Sequence, residues 1–126
     1  MDSAAYRHGI ELFNRREFFV AHEVLEDVWR AAPAPEKKFL QGLIQIAVGM
    51  HHYSTGNRVG AQSLLARGHK NLAAYPKAYG GLNLAALRLA VARCGQALAR
   101  GEAELSPPQL ELLNGSAEDP SRAGGD

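Results

Sequence analysis

The chain has 126 residues and a mass of 13.6 kDa, which suits one domain with a core of its own. Hydrophobic residues make up 46% and charged residues 21%, a globular composition, and the net charge is only +1. So small a net charge excludes a strong field for nucleic acid or an anionic membrane. The single cysteine, Cys94, excludes an intramolecular disulfide and a cysteine-based zinc site.

Several features bear on where the chain works. An unpaired cysteine suits a reducing compartment, and the first residues, Met-Asp-Ser-Ala-Ala-Tyr-Arg, contain no apolar signal-peptide core. No apolar run approaches the roughly 18 residues of a membrane span. We therefore expect a cytoplasmic protein without cofactor, nucleic-acid ligand or membrane attachment, and we leave a protein or peptide partner and an oligomer open.

Apolar residues recur with helical spacing along most of the chain, and no sustained alternating run favours strands. The predicted helices run from Ser3 to Asn14, from Glu17 to Ala31, from Pro35 to a stop at Gly56, from a cap at Asn57 to Tyr75, and from a cap at Asn83 to Arg100. Short connections favour antiparallel neighbours. The sequence thus predicts an all-α bundle of helical hairpins, similar in architecture to tetratricopeptide motifs.

Small residues mark one predicted helix–helix contact. Gly42 and Gly49 lie seven apart on the third predicted helix, and Ala61 and Gly68 lie seven apart on the fourth. A spacing of seven puts each pair on one face. We therefore expect the third and fourth helices to approach closely there.

The end of the chain differs in composition from residues 1–101, which form the predicted domain. Residues 102–114 predict a short helix or an extension, because Ser106-Pro107-Pro108-Gln109 resembles a capping box and the leucines that follow need burial. Residues 115–126 are small and polar, which predicts a disordered tail.

Polar residues on two apolar helix faces are the main functional signal. At 100° per residue, His22 falls beside Trp29 on the buried side of the second helix, with Glu26 at its edge. On the third helix, Gln45 and His52 share a polar line, whereas His51 falls elsewhere. Buried polar groups need partners, so we expect these side chains to meet. The predicted ligand-binding residues are His22, Glu26, Trp29, Gln45 and His52.

The same residues leave a metal site open. His22 and Glu26 form a two-ligand pair at i and i+4, and His52 could supply a third ligand to a hydrolytic zinc site. However, His-Glu-x-x-Glu differs from the zincin motif His-Glu-x-x-His. The pattern favours a structural polar cluster over a metal site, with His22 hydrogen-bonded to Glu26 or to a backbone carbonyl. Glu23 points outward, which disfavours an acid–base pair with Glu26, and Cys94 shares an apolar face, which predicts a buried thiol.

Several runs of the sequence carry a family resemblance. They are Leu12-Phe13-Asn14, Phe18-Phe19-Val20-Ala21-His22-Glu23-Val24-Leu25-Glu26-Asp27-Val28-Trp29, Phe39-Leu40-Gln41-Gly42-Leu43-Ile44-Gln45-Ile46-Ala47, Gly56-Asn57 with Gly60-Ala61, and Tyr75-Pro76 with Tyr79 and Gly81-Leu82-Asn83. Over roughly residues 4–100 the chain resembles the small all-helical prokaryotic family named domain of unknown function 309. The resemblance implies a fold of helical hairpins and supplies no catalytic residue.

Three functions follow from the sequence as hypotheses. The first is a non-catalytic helical module that binds a partner protein, peptide or small ligand through the polar cluster. The second is a metal-dependent hydrolase that uses His22, Glu26 and His52. The third is a structural oligomerisation unit, for which the cluster would be closed and an apolar surface would remain exposed on the first or fifth helix.

Overall fold

A computed structural model describes residues 3–113 of the chain. This part contains five helices and one small β-hairpin. The helices are α1 (Ser3–Asn14), α2 (Phe18–Ala31), α3 (Ala34–Ser54), α4 (Arg58–Leu72) and α5 (Leu84–Ala99), and the strands are β1 (Ala78–Tyr79) and β2 (Leu82–Asn83). The predicted all-α fold is confirmed. The predicted disordered tail, residues 115–126, lies outside the described residues.

Each helix packs against the next along the chain, and side-chain pairs give the direction. Phe19 of α2 contacts His51 near the end of α3, whereas Trp29 contacts Lys37 near its start. Residue numbers rise on one helix as they fall on the other. The two helices are therefore antiparallel, as their two-residue connection favours.

α3 is the central helix of the bundle. Most of its circumference is buried, and Phe39, Leu40, Leu43 and Ile46 are inaccessible to solvent. A helix that is apolar nearly all round must be covered on several sides. In this chain α2 and α4 both pack against α3, so a residue's position on α3 decides which neighbour it meets.

The predicted close contact of α3 with α4 is confirmed. A Cβ atom added to Gly68 would lie 2.9 Å from the Gly42 carbonyl oxygen, and one added to Gly49 would lie 3.3 Å from the Ala61 carbonyl oxygen. These distances bring backbone against backbone across the two helices. We call the contact made by Gly42, Gly49, Ala61 and Gly68 the glycine seam.

Asparagine caps begin α4 and α5 as predicted. The side chain of Asn57 accepts a hydrogen bond from the Gly60 amide, and that of Asn83 accepts one from the Ala86 amide. Each bond satisfies an amide that lacks a partner within the first turn of its helix.

The end of α4 differs from the prediction, because the helix stops at Leu72 and not at Tyr75. Tyr75 leaves the helix and its hydroxyl group enters the first turn of α3. That hydroxyl donates to the Pro35 carbonyl at 2.8 Å and accepts from the Phe39 amide at 3.0 Å. A tertiary contact thus outweighs the local tendency to continue the helix to Pro76.

The connection from α4 to α5 was predicted as a loop and contains the hairpin of β1 and β2. Gly80 and Gly81 form its turn with positive φ angles of 61° and 74°, which glycine adopts at little cost. The hydroxyl of buried Tyr6 donates to the Gly80 carbonyl at 2.5 Å and ties the turn to α1. Burial is the main reason why the pKa of Tyr6 is raised, so the hydroxyl stays a donor.

Residues 102–114 were predicted to form a short helix or an extension, and the described part of them is extended. Residues 102–113, here called the strap, contain no helix and cross the surface in an extended form. Leu82 and Leu112 pair across an antiparallel bridge, and Leu110 is buried in the core. Contacts with α1 and the hairpin thus satisfy strap backbone groups that a helix would have paired internally.

No helix within residues 3–113 is both long enough and apolar enough to cross a membrane.

Candidate functional site

The first half of α2 and the last turns of α3 together present an aromatic and histidine surface. The Phe19 ring is 5.0 Å from the His22 ring and 5.1 Å from the His51 ring, measured between centroids. Phe19 is nevertheless 49% exposed, and Val20 beside it is also exposed. We call these four residues, Phe19, Val20, His22 and His51, the Phe19 face.

His22 is held in place by its own helix. Its Nδ1 atom lies 2.8 Å from the Phe19 carbonyl oxygen, one turn earlier. A neutral imidazole that donates from Nδ1 carries its acceptor at Nε2. The half-buried ring therefore has a fixed orientation and presents a polar edge beside the exposed phenyl group.

Glu26 lies one turn beyond His22 and belongs to a surface ion-pair network. Its carboxylate is 3.4 Å from the Arg30 guanidinium, which also binds Asp27. The Glu26 side chain is 43% exposed. Ion pairs at such exposure contribute little to stability. Because its side chain is this exposed, Glu26 remains accessible at the margin of the Phe19 face.

Trp29 lies at the opposite end of α2. The Lys37 ammonium group is 4.3 Å from the centroid of the indole ring and donates to the Trp29 carbonyl at 2.7 Å. This cation–π contact and hydrogen bond tie the end of α2 to the start of α3. The indole Nε1 atom is buried and has no hydrogen-bond partner among the described residues.

The predicted meeting of His22 and Glu26 with Gln45 and His52 was wrong. The Gln45 side chain accepts from Asn71 of α4 at 2.7 Å, and His52 lies 3.4 Å from the Asn57 amide before α4. A helical wheel orders residues around their own axis but does not say which neighbour covers each stripe. The polar line of α3 faces α4, on the same side as the glycine seam.

His51 is the residue that the sequence argument missed. The wheel placed it away from the polar line of α3 and so away from His22. α2 and α4 cover different sides of α3. Because His51 lies away from the polar line that faces α4, it lies on the side covered by α2 and contacts Phe19. The sequence did contain one signal for this surface, the aromatic residue Phe19 one turn before His22. Its contact with His51 depends on how α2 and α3 pack and is not visible in the sequence of either helix.

The candidate metal ligands are not grouped in space. Within residues 3–113, no three or more His, Cys, Asp or Glu side chains lie close enough to hold a metal ion. His22 binds the backbone of α2, Glu26 binds Arg30, and His52 approaches Asn57. The donor set that a hydrolytic site needs is therefore not brought together.

Cys94 is buried on α5, as its apolar face predicted. Its thiol donates to the Ser106 carbonyl of the strap at 3.2 Å. Burial raises the pKa of the Cys94 thiol, which disfavours the reactive thiolate. The residue therefore acts as a core side chain that also binds the strap.

A groove of about 340 Å³ lies between α4 and α5. Its lining is mostly small and apolar, with Ala66, Ala92 and Gly95 among its residues, and His69 is at its edge. Burial, and secondly the positive charge of Arg88, lower the pKa of His69.

This pKa shift of His69 predicts a pH dependence of folding. A lowered native pKa means that the unfolded chain binds the proton more readily, so stability falls as the pH drops below the ordinary value of about 6.5. The urea midpoint should therefore fall less between pH 8 and pH 5 in His69→Gln than in the wild type. Equal falls in both proteins would contradict the assignment.

Comparison with known proteins finds a family model that matches part of the chain. Residues 6–64 match the model described as domain of unknown function (DUF309). Over these residues, somewhat less than half of its length, the chain is similar to the DUF309 family. The match confirms the resemblance for α1, α2, α3 and the start of α4. The quoted run from Tyr75 to Asn83 lies beyond it.

Two curated bacterial proteins are similar to this chain. The uncharacterized protein YpuF of Bacillus subtilis (strain 168) is 35% identical over 76 residues, which are 60% of this chain and 44% of that protein. An uncharacterized protein of Aquifex aeolicus (strain VF5) is 32% identical over 77 residues, which are 60% of this chain and 23% of that protein. The chain thus spans less than half the length of these relatives, and their names bring no activity to it.

Proposed function

We propose that this chain is a non-catalytic helical module that binds a protein or peptide partner at the Phe19 face. The observation that carries the proposal is the Phe19 side chain, 49% exposed although it touches two imidazole rings. The partner would contribute an apolar side chain to cover the phenyl ring and polar groups to meet the two histidines.

The composition of the face supports this role. Single exposed apolar residues are common and need no explanation, but here Val20 adjoins Phe19 and imidazoles flank them. An apolar centre with a polar rim is the usual organisation of a binding surface. Aromatic side chains often carry much of its binding energy. His22 thus remains a binding residue, with Glu26 at the margin.

The other predicted binding residues have structural partners that explain them. Trp29 packs under Lys37, Gln45 binds Asn71, and His52 approaches Asn57. We do not carry the metal-dependent hydrolase forward, because His22, Glu26 and His52 are not grouped in space.

The module is proposed to be cytoplasmic, supported by the unpaired buried Cys94. Successive antiparallel hairpins support a tetratricopeptide-like use of one helix face as the binding surface.

The test compares two exposed apolar residues on different helices. Phe19→Ala should remove the partner from the protein isolated from cells that produce it, whereas Leu89→Ala on α5, at a residue 53% exposed, should not. Because Phe19 is half exposed, its replacement should cost about 1 kcal/mol of folding stability or less. Size-exclusion chromatography with light scattering measures the complex, and urea unfolding measures the stability.

Two outcomes would contradict the proposal. One is a complex that survives Phe19→Ala in a folded protein. The other is a complex lost equally with Leu89→Ala, which would point to the exposed surface of α5 and so to the structural oligomerisation unit.

A further inference from the structure

The strap lies against other elements in the way that an extended peptide lies in a binding groove. The part of the strap from Ser106 to Leu113 binds Asn14 at the end of α1, the hairpin residues Gly81 and Asn83, and Cys94 on α5. We call these four residues the acceptor groove. Most of their bonds go to backbone groups of the strap, and such bonds would form with any extended segment.

Asn14 makes the most specific of these contacts. Its Nδ2 atom donates to the Leu110 carbonyl at 3.0 Å, and its Oδ1 atom accepts from the Leu110 amide at 2.8 Å. A side-chain amide thus binds both backbone groups of one residue. The pair fixes the position and direction of the strap, because neither bond survives a shift by one residue.

The hairpin continues the recognition as a β-sheet edge. The Asn83 amide donates to the Glu111 carbonyl at 3.0 Å, and the Leu113 amide donates to the Gly81 carbonyl at 2.8 Å. The strap therefore pairs with β2 through an antiparallel bridge between Leu82 and Leu112. Addition of a strand to an exposed edge is a general mode of peptide recognition, in which the backbone gives affinity and buried side chains give specificity.

Buried side chains supply that specificity. Leu110 is 1% exposed, and Pro108 is buried two residues earlier, whereas Gln109 and Glu111 between and after them are exposed. This alternation is that of an extended segment with one face on a groove. The strap thus carries a leucine anchor at the position that Asn14 reads.

An opening of about 760 Å³ lies between the strap and α5. Residues 102–113 contain three glutamates and no lysine or arginine, and Arg93 of α5 and Arg100 just beyond its end line the opening. Charge complementarity therefore favours an acidic segment beside α5.

We propose that the strap is an exchangeable occupant and that the acceptor groove also takes the strap of a second copy of this chain. A second copy offers the one segment whose fit to the groove is shown, and exchange would preserve every contact from Ser106 to Leu113. The hinge lies in exposed residues 101–104, where Gly101 has a φ of 72°. Tyr53 and Arg58 bind the carbonyls of Ala103 and Glu102, so the exchanging segment begins after them.

The first experiment measures exchange between two full-length variants. Asn14→Ala keeps an intact strap but weakens the groove, whereas Leu110→Asp keeps an intact groove but has lost its anchor. In an equimolar mixture the strap of the first should enter the groove of the second. Sedimentation velocity should show heterodimer in the mixture and monomer in each variant alone. A mixture that sediments as two monomers would overturn the proposal.

A second arm covers the case in which Leu110→Asp does not fold. A protease site inserted between Ala103 and Glu104 lets the strap be cut after the full chain has folded. A fluorescein-labelled peptide of residues 104–113 should then bind saturably, and its Leu110→Asp form or an Asn14→Ala chain should weaken binding about tenfold or more.

The remaining outcomes of that arm decide against the proposal. If the cut chain unfolds when the strap leaves, or stays folded without binding the peptide, the strap is fixed core and not an occupant. If the peptide binds but the uncut wild-type chain stays monomeric at about 1 mM, roughly the effective concentration of a tethered segment, the second copy is the wrong source.

Discussion

Replacement of Leu110 with alanine is expected to lower the free energy of unfolding by about 2–5 kcal/mol, the range for a large aliphatic side chain removed from a core. Leu110 is 1% exposed and belongs to the same core as the buried residues of α1 and α3. The loss combines the transfer of its methyl groups to water with the cavity left behind. Urea unfolding followed by circular dichroism measures it.

Leu112 is the matched control, because it lies two residues away in the same strap and is 43% exposed. Leu112→Ala should change the free energy of unfolding by about 1 kcal/mol or less. Equal effects of the two replacements would mean that the strap does not anchor through Leu110. That result would also remove the basis for the acceptor groove.

A replacement in the glycine seam is expected to have the second large effect on stability. Its control replacement should change stability in the opposite direction. Gly68→Ala is expected to destabilise the protein by about 1–3 kcal/mol, the usual cost of overpacking a filled contact. The added Cβ would lie 2.7 Å from Ile46 and 2.9 Å from the Gly42 carbonyl oxygen. Relief requires α3 and α4 to move apart, because a backbone carbonyl cannot rotate away as a side chain can.

Gly95 of α5 is the control for this replacement. A Cβ added there would meet nothing within 4 Å, and alanine favours a helix by about 1 kcal/mol over glycine. Gly95→Ala should therefore raise the melting temperature, whereas Gly68→Ala should lower it. Two stabilising replacements would show that α3 and α4 do not approach as closely as described.

The sequence predicted those parts of the fold that depend on local chemistry. Helix caps at Asn57 and Asn83, the stop before Pro33 and the close approach at Gly42 and Gly68 all follow from residue type and spacing. The end of α4 could not be predicted, because the hydroxyl of Tyr75 is drawn into the first turn of α3. Helix and extension were both left open for the strap for a similar reason, since its hydrogen-bond partners are distant in sequence.

The candidate site was predicted only in part. His22 is half-buried on α2, as its place beside the apolar face predicted, and its contact with Phe19 lies within one helix turn. Which residue of α3 lies near His22 and Phe19 depends on which side of α3 is covered by α2 and which by α4. The pattern of one helix does not contain that information. His52 was therefore expected where His51 lies.

The most direct test of the central claim is site-specific photo-crosslinking from the Phe19 face. Benzoylphenylalanine placed at position 19, in cells that produce the protein, should yield one discrete crosslinked partner, and the same residue at position 89 should not. Such a partner, lost again when His22 and His51 are replaced with alanine in a folded protein, is the predicted result. Equal crosslinking from both positions, or none from position 19, would contradict a binding role for this face.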